Sequence, residues 1–175
     1  SENPLNVILM GKPRIDKGNL DLRLISKLAM AEMGMRVHFN AVSFPKFNKY
    51  HIPKRREILQ VNTSYQFKKW LPKEEFNNLI DKADVILLPY CDRTYWYRGS
   101  AVFFDALELS KKGVLLARKG IAFSDEMHNR GVIMQYSTIE NLIFKLSTLS
   151  KNSISNNQEF AKKQRKNYLD WYATL

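Results

Sequence analysis

The stretch that most constrains the fold of this chain is an apolar strand that leads, through a loop, into a helix. The strand is predicted over Asp84–Leu88, the loop from Pro89 to about Arg98, and the helix from near Gly99 to about Lys111. A nearly continuous apolar strand is typical of a parallel sheet that helices cover on both faces. Because open sheets of this kind bind ligands at the carboxyl ends of their strands, the loop and the helix start form the first candidate site.

The start of this predicted helix is suited to an anion. It begins with Gly99, Ser100 and Ala101, which are small and leave the backbone N–H groups accessible. The first N–H groups of a helix have no partner within the helix, and the helix dipole adds partial positive charge there. The segment therefore predicts a phosphate site.

Strands and helices alternate through the rest of the chain. Apolar runs predict strands over Asn6–Met10, Met35–Val42, Glu57–Val61, Tyr65–Lys68, Val114–Ala117 and Gly131–Gln135. Helical patterns follow several of them: Gly18–Gly34, Pro72–Lys82 with Pro72 as first helical residue, a helix opened by a capping box at Ser137–Glu140, and Gln158–Ala173 after a polar connector at Asn152–Asn157. The expected fold class is α/β, a single Rossmann-like three-layer α/β/α domain with a mainly parallel sheet. We expect residues 1–157 to form this domain. Residues 158–175 would form a C-terminal helix packing back on it or toward another domain.

Composition narrows the class of partner. The 175 residues suit one domain, and 28 Lys and Arg against 17 Asp and Glu give a net charge of +11. Such a balance favours anionic partners: a nucleotide diphosphate, an anionic membrane surface or nucleic acid. The sequence shows neither a membrane-spanning apolar run nor a signal-peptide pattern, and its one cysteine, Cys91, suits a reducing compartment. We therefore expect a cytoplasmic protein, with contact to the inner membrane face as a further hypothesis.

Metal and nucleophile chemistry find little support in the sequence. The histidines His38, His51 and His128 are scattered and lack the spacing of metal ligands. Cys91 has no histidine placed by the sequence to activate it, and no glycine-rich dinucleotide or P-loop fingerprint is present. We expect neither a metal nor a cofactor.

A second candidate loop follows the first strand and reads Gly11-Lys12-Pro13-Arg14-Ile15-Asp16-Lys17-Gly18. Two cations beside a helix N-terminus can neutralise a phosphate pair. The position and spacing of Lys12 and Lys17 favour this role over that of two solvated lysines in a polar loop. Arg14 is a third cation that could assist.

Together the two loops resemble the donor-binding domain of family-4 glycosyltransferases, retaining enzymes built from two Rossmann-like domains in the GT-B architecture. In that family a strand ends in Pro-Ser, the loop reads Glu-Gly-Phe-Gly, and a Glu-Ala pair follows in the helix. Here Pro89 ends the strand and Asp105 takes the place of the second Glu. The first Glu position is occupied by Tyr97, or by Asp92 or Arg93 when counted from the strand.

The first loop carries the second point of resemblance. The family often reads Gly-Arg, four residues, Lys-Gly; here Lys12 stands in the Arg place, and Lys17 and Gly18 match. Further along, Glu126 falls near the acidic position of the family's Gly-Gly-x-x-Glu stretch, whereas Ser110–Gly113 departs from its Gly-Lys-Pro.

The resemblance implies a glycosyltransferase that uses a nucleotide-sugar donor and retains the configuration of the sugar. It also implies a role in bacterial surface polysaccharide synthesis. Lys12 and Lys17 would stabilise the leaving diphosphate, Asp105 would hold the donor ribose, and Tyr97 would lie near the sugar. The remaining donor-binding positions would be Gly11, Arg14, Gly99, Ser100 and Ala101. The acceptor-binding N-terminal domain of such an enzyme has no counterpart in this chain, so the isolated domain is expected to be inactive.

Two alternatives stay open. The absence of the first Glu favours a catalytically degenerate module that binds a sugar nucleotide or serves as a scaffold. The basic, aromatic segment Phe44–Arg56 leaves a nucleic-acid-binding domain as the least favoured reading.

Overall fold

The computed structural model describes residues 4–9, 24–25, 28–29, 31–33, 37–41, 66–67, 72–90 and 101–175. Six strands form one sheet: β1 Leu5–Leu9, β2 Val37–Ala41, β3 Gln66–Phe67, β4 Val85–Leu88, β5 Val114–Arg118 and β6 Met134–Tyr136. Their order is β3-β2-β1-β4-β5-β6, and every neighbouring pair is parallel. This is the doubly wound order of dinucleotide-binding folds, so the predicted Rossmann-like α/β class is confirmed.

Five helices are described in full: α1 Lys73–Asp81, α2 Ala101–Leu109, α3 Ala122–Asn129, α4 Ile139–Lys151 and α5 Ile154–Tyr172. Residues 24–25, 28–29 and 31–33 are also helical. Within the described ranges no helix is both long enough and apolar enough to cross a membrane. The strand predicted over Glu57–Val61 lies outside the described residues.

The sheet buries both faces because its strands are apolar at successive positions. Val7, Val85 and Leu116 belong to one buried cluster, which includes residues of α4 and the helical residues Ile25, Ala29 and Met33. Ile86 and Leu115 belong to the other cluster, which includes residues of α1, α2 and α3. All four side chains of β4 are 0 % exposed, which explains why its sequence is a continuous apolar run.

The turn between α2 and β5 is closed by Ser110 and Gly113. The Ser110 hydroxyl accepts the Gly113 N–H at 3.2 Å and donates to the Gly113 carbonyl at 3.1 Å. A Cβ added at Gly113 would lie 3.0 Å from the Ala83 carbonyl oxygen, so the close approach of two backbones favours glycine here. The segment Ser110–Gly113, which departs from the family's Gly-Lys-Pro pattern, therefore forms a compact turn into the sheet.

Helix α5 crosses from one face of the sheet to the other. Its Ala161 belongs to the first cluster, and its Tyr168 belongs to the second, where burial raises the pKa of the Tyr168 hydroxyl. Between them, the Gln164 amide accepts from Leu115 N at 2.9 Å and donates to Leu115 O at 3.1 Å. Since β5 pairs with β6 only from Leu116 onward, this side chain supplies the partner that a strand would give to Leu115.

Several predicted element ends are wrong by a few residues. The connector predicted over Asn152–Asn157 is mostly helix, because Ser153 caps α5 by accepting the Asn156 N–H at 3.2 Å. At α4 the capping residue is Thr138, which accepts the Asn141 N–H at 3.2 Å, and not Ser137. Pro72 is the residue before α1 and not its first residue.

Candidate functional site

The topology places a crevice between β1 and β4. From β1 the sheet extends through β2 to β3, and from β4 it extends in the opposite direction through β5 to β6. β1 ends at Leu9, which pairs with Leu87 in β4, so the segments that follow these two strands leave the same edge side by side. Connections that diverge in this way open the crevice where doubly wound folds bind nucleotides.

Both loops that the sequence singles out start at this crevice. Most of the predicted site residues lie outside the described residues: Gly11, Lys12, Arg14, Lys17, Tyr97, Gly99 and Ser100. Their flanking elements are described, because β1 ends at Leu9 and α2 begins at Ala101. The structure describes the remaining two, Ala101 and Asp105.

Asp105 lies on the exposed side of α2, four residues after Ala101. Both residues are exposed, whereas Phe103, Ala106 and Leu107 form the buried face of the same helix. Residues four apart on a helix are neighbours, so the Asp105 carboxylate and the helix start share one surface. Within the described part of the chain this carboxylate makes neither a hydrogen bond nor an ion pair, so it is accessible to a ligand.

An aromatic cluster joins the segment after β4 to helices α2 and α3. Tyr90, which follows β4, is 0 % exposed and meets Phe123 of α3 edge to face, with ring centroids 6.2 Å apart. Phe123 also packs on Phe103 of α2 at 4.7 Å. Three carboxyl-edge segments are thereby joined through one ring, at contact energies of about 1 kcal/mol per aromatic pair. The sequence analysis missed this cluster; its only sequence signal is an aromatic residue close to each of the three strand ends or helix starts.

The loop after β5 is contacted by an acidic residue of α3 that the sequence analysis did not single out as a site residue. Gly120, at a φ of 83°, donates its N–H to Asp125 Oδ1 at 3.2 Å. The neighbouring Glu126, which the resemblance singled out, instead pairs with Arg130 at 2.6 Å. The acid that contacts the glycine loop in this chain is therefore Asp125.

The described residues contain no group of three or more His, Cys, Asp and Glu side chains that could hold a metal ion. His128 Nδ1 lies 3.2 Å from the Ile133 carbonyl oxygen, beyond the opposite end of the sheet from the crevice. His51 and Cys91 lie outside the described residues.

Comparisons with known proteins support the fold. No protein-family model matches the chain, and no curated protein matches it. Among solved structures, an α,α-trehalose-phosphate synthase (UDP-forming) from Burkholderia vietnamiensis matches 96 % of this chain and 40 % of its own, at 12 % identity and a TM-score of 0.72. WaaG, a glycosyltransferase involved in lipopolysaccharide biosynthesis, matches 95 % of this chain and 43 % of its own, at 16 % identity and a TM-score of 0.66.

A third solved structure matches this chain over most of the length of both chains. It is the C-terminal domain of a glycosyl transferase group 1 family protein (LpcC) from Francisella tularensis, matched over 97 % of this chain and 88 % of its own, at 12 % identity and a TM-score of 0.72. The chain thus spans about two fifths of the full-length enzymes and nearly all of the isolated domain. It has the fold of the C-terminal domain of GT-B glycosyltransferases, as the resemblance implied.

Proposed function

We propose that this chain is the donor-binding domain of a glycosyltransferase that transfers a sugar from a nucleotide-diphosphate sugar to an acceptor. The observation that carries the proposal is the crevice between β1 and β4. β1, which precedes the lysine-bearing loop, and β4, which precedes the segment leading to α2, end side by side at one edge of a sheet whose fold is that of glycosyltransferase C-terminal domains. The net charge of +11 is of the sign that an anionic donor requires.

In this proposal the residues divide into three roles. Lys12 and Lys17 neutralise the charge that develops on the diphosphate as its bond to the anomeric carbon breaks. Ala101 and the two residues before it offer backbone N–H groups to the same phosphates, with Gly11 and Arg14 completing the loop opposite. Asp105 accepts hydrogen bonds from the ribose hydroxyls, and Tyr97 contacts the sugar.

The finer features of the function rest on the resemblance. We propose that the new bond to the acceptor oxygen forms on the face that the diphosphate leaves, which retains configuration, and that neither a metal nor a cofactor takes part. The acceptor site belongs to a further domain, with surface polysaccharide as the product class. The protein acts in the bacterial cytoplasm, in contact with the anionic inner membrane face.

A titration tests the donor site. We expect one diphosphate among UDP, GDP and ADP to bind the 175-residue chain in calorimetry, with CMP as the monophosphate comparison. UDP is the first to test, because a matched synthase is described as UDP-forming. Lys17→Ala should weaken binding about tenfold, which corresponds to about 1.4 kcal/mol. Lys151→Ala is the matched control, since Lys151 is exposed at the end of α4. Absence of binding by all four nucleotides would contradict the donor-site assignment.

One observation favours the degenerate module as second candidate, namely Tyr97 in place of the family's first carboxylate. The two candidates differ in turnover and not in nucleotide binding. If the chain is supplied with an acceptor-binding partner domain and still neither transfers nor hydrolyses the bound nucleotide-sugar, the degenerate module is favoured.

A further inference from the structure

The loop Arg118–Ile121, which joins β5 to α3, lies next to the crevice. Ala117 in β5 pairs with Leu88 in β4, so the loop begins level with the segment that leaves β4. The ring of Phe123, two residues beyond the loop, contacts both Tyr90 and Phe103. The loop is therefore held beside the start of α2.

The polar side chains of Ser124, Asp125 and Gln135 form hydrogen bonds to this loop and to one another. We call these three residues the Asp125 network. Asp125 Oδ1 accepts the Gly120 N–H at 3.2 Å and a Gln135 Nε2–H at 2.6 Å. The other Gln135 Nε2–H goes to Ser124 Oγ at 2.9 Å, and the Ser124 hydroxyl donates to the Arg118 carbonyl at 2.8 Å. Ser124 is 0 % exposed, whereas Asp125 and Gln135 are half-buried, so the network extends from the interior to the exposed loop.

The loop is fixed at both ends and exposed in the middle. Ile121 is 0 % exposed, and the Lys119 N–H donates to the Tyr136 carbonyl at 2.8 Å. Lys119 and Gly120 are nevertheless exposed, and within the described ranges the Lys119 ammonium has no partner. The arrangement presents a cation beside a glycine whose lack of a side chain allows a ligand to approach the backbone.

We propose that the loop Arg118–Ile121 is a preformed wall of the donor site, that Lys119 binds the donor there, and that Asp125 and Gln135 are positioning residues for it. This inference rests on the proposed function. Neighbouring strands lie about 5 Å apart, so a nucleotide-diphosphate sugar whose phosphates lie between β1 and β4 extends over the end of β5. The ligand class is the anionic and hydroxyl-rich part of the donor that reaches past β4.

The effect of the network is on affinity through preorganisation. A loop that is already fixed loses little conformational entropy when the donor binds, whereas a loop released from Asp125 has to be ordered at that moment. Loss of the Asp125 acceptor is therefore expected to weaken donor binding more than removal of an exposed neighbour does.

The experiment measures the dissociation constant of UDP, or of whichever diphosphate binds best, for a series of variants. Asp125→Ala is expected to weaken binding about tenfold, because the loop is released. Asp125→Asn keeps an Oδ1 acceptor for Gly120 and is expected to restore affinity to within about twofold. Glu126→Ala, one residue along the same helix, is the matched control and should leave affinity unchanged.

Lys119 is tested in the same assay. Lys119→Ala is expected to weaken binding about fivefold through loss of a charge-assisted contact. Lys112→Ala is its control, since Lys112 is exposed in the turn before β5, at the opposite edge of the sheet. If the wild type binds and both Asp125→Ala and Lys119→Ala bind equally well, the inference is overturned while the proposed function stands.

Amide hydrogen exchange at Gly120 gives a readout that needs no ligand. Exchange should be slow in the wild type and in Asp125→Asn, and faster in Asp125→Ala at unchanged exchange in the core strands. If no diphosphate binds the wild type, the proposed function is contradicted, and with it the role of the loop Arg118–Ile121 in donor binding. Unchanged Gly120 exchange in Asp125→Ala would instead overturn the positioning role by itself.

Discussion

The two edges of the sheet use hydrogen bonds in opposite ways. At the amino edge, where the strands begin, two side-chain hydrogen bonds join residues far apart in the chain. Asp84 Oδ2 accepts the Asn6 N–H across 78 residues, and Arg165 donates to the Ser110 carbonyl across 55. At the carboxyl edge the bonds of the Asp125 network span only 5 to 11 residues. Long-range bonds at one edge stabilise the fold, and local bonds at the other shape a loop.

The same contrast holds for what is left exposed. At the amino edge the backbone groups of Leu115 are satisfied by Gln164, whose side chain is 1 % exposed. At the carboxyl edge Ala101, Asp105 and Lys119 are exposed. At the amino edge a buried side chain thus completes the backbone hydrogen bonding of the sheet, whereas these three residues at the carboxyl edge are open to a ligand.

The largest effect on stability is expected from Gln164→Leu at the amino edge. The substitution leaves the N–H and carbonyl of Leu115 buried without partners, at a cost of about 2–4 kcal/mol. Chemical denaturation measures the loss, and Lys163→Ala, an exposed neighbour on α5, is the control. A loss below about 1 kcal/mol would show that water replaces the amide and would break the contrast between the edges.

A smaller effect is expected at Gly131, in the turn before β6. Its φ is 69°, and an added Cβ would lie 2.7 Å from Asn167 Nδ2, whose amide donates to the Gly131 carbonyl at 3.0 Å. Gly131→Ala should cost about 1–2 kcal/mol, mostly from the left-handed backbone. Because the backbone term does not depend on Asn167, most of that cost should persist when the substitution is repeated in an Asn167→Ala background. Full recovery there would identify the contact, and not the backbone, as the cause.

The smallest effect on stability is expected from Asp105→Ala at the carboxyl edge. Removal of an exposed carboxylate without a partner in the described structure should change the free energy of unfolding by less than about 0.5 kcal/mol. Nucleotide binding should nevertheless weaken, by about fivefold if the ribose contact is lost. Calorimetry and denaturation on the same sample test both halves. A variant that loses stability but keeps affinity would reverse the contrast drawn between the edges.

The fold could be predicted from the sequence because its main signals are local. The apolar run of β4, with the loop and helix after it, is readable within a stretch of about thirty residues, and so is the alternation that defines the α/β class. The ends of elements were less predictable. Ser137 and Thr138 are adjacent residues of equal capping chemistry, and only the structure shows that Thr138 bonds to Asn141.

The candidate site was predictable only in part, for a physical reason. Lysines and small residues in loops can be seen in the sequence. Which residue holds a loop in place, in contrast, depends on the side-chain contacts of the folded chain. Asp125 and Glu126 are neighbours of similar chemistry, yet only Asp125 reaches Gly120. Gln135 joins this network from a strand ten residues further along, which the sequence pattern did not indicate.

The bond between Gln164 and Leu115 also bears on the order in which the chain is synthesised. The two residues are 49 positions apart, so an emerging chain presents the start of β5 well before its partner exists. During that interval the strand offers unpaired N–H and carbonyl groups to any other extended segment, including a second nascent chain. Helix α5 thus protects the start of β5 from pairing with the wrong segment. Chains truncated before Gln164 would leave the ribosome without this protection.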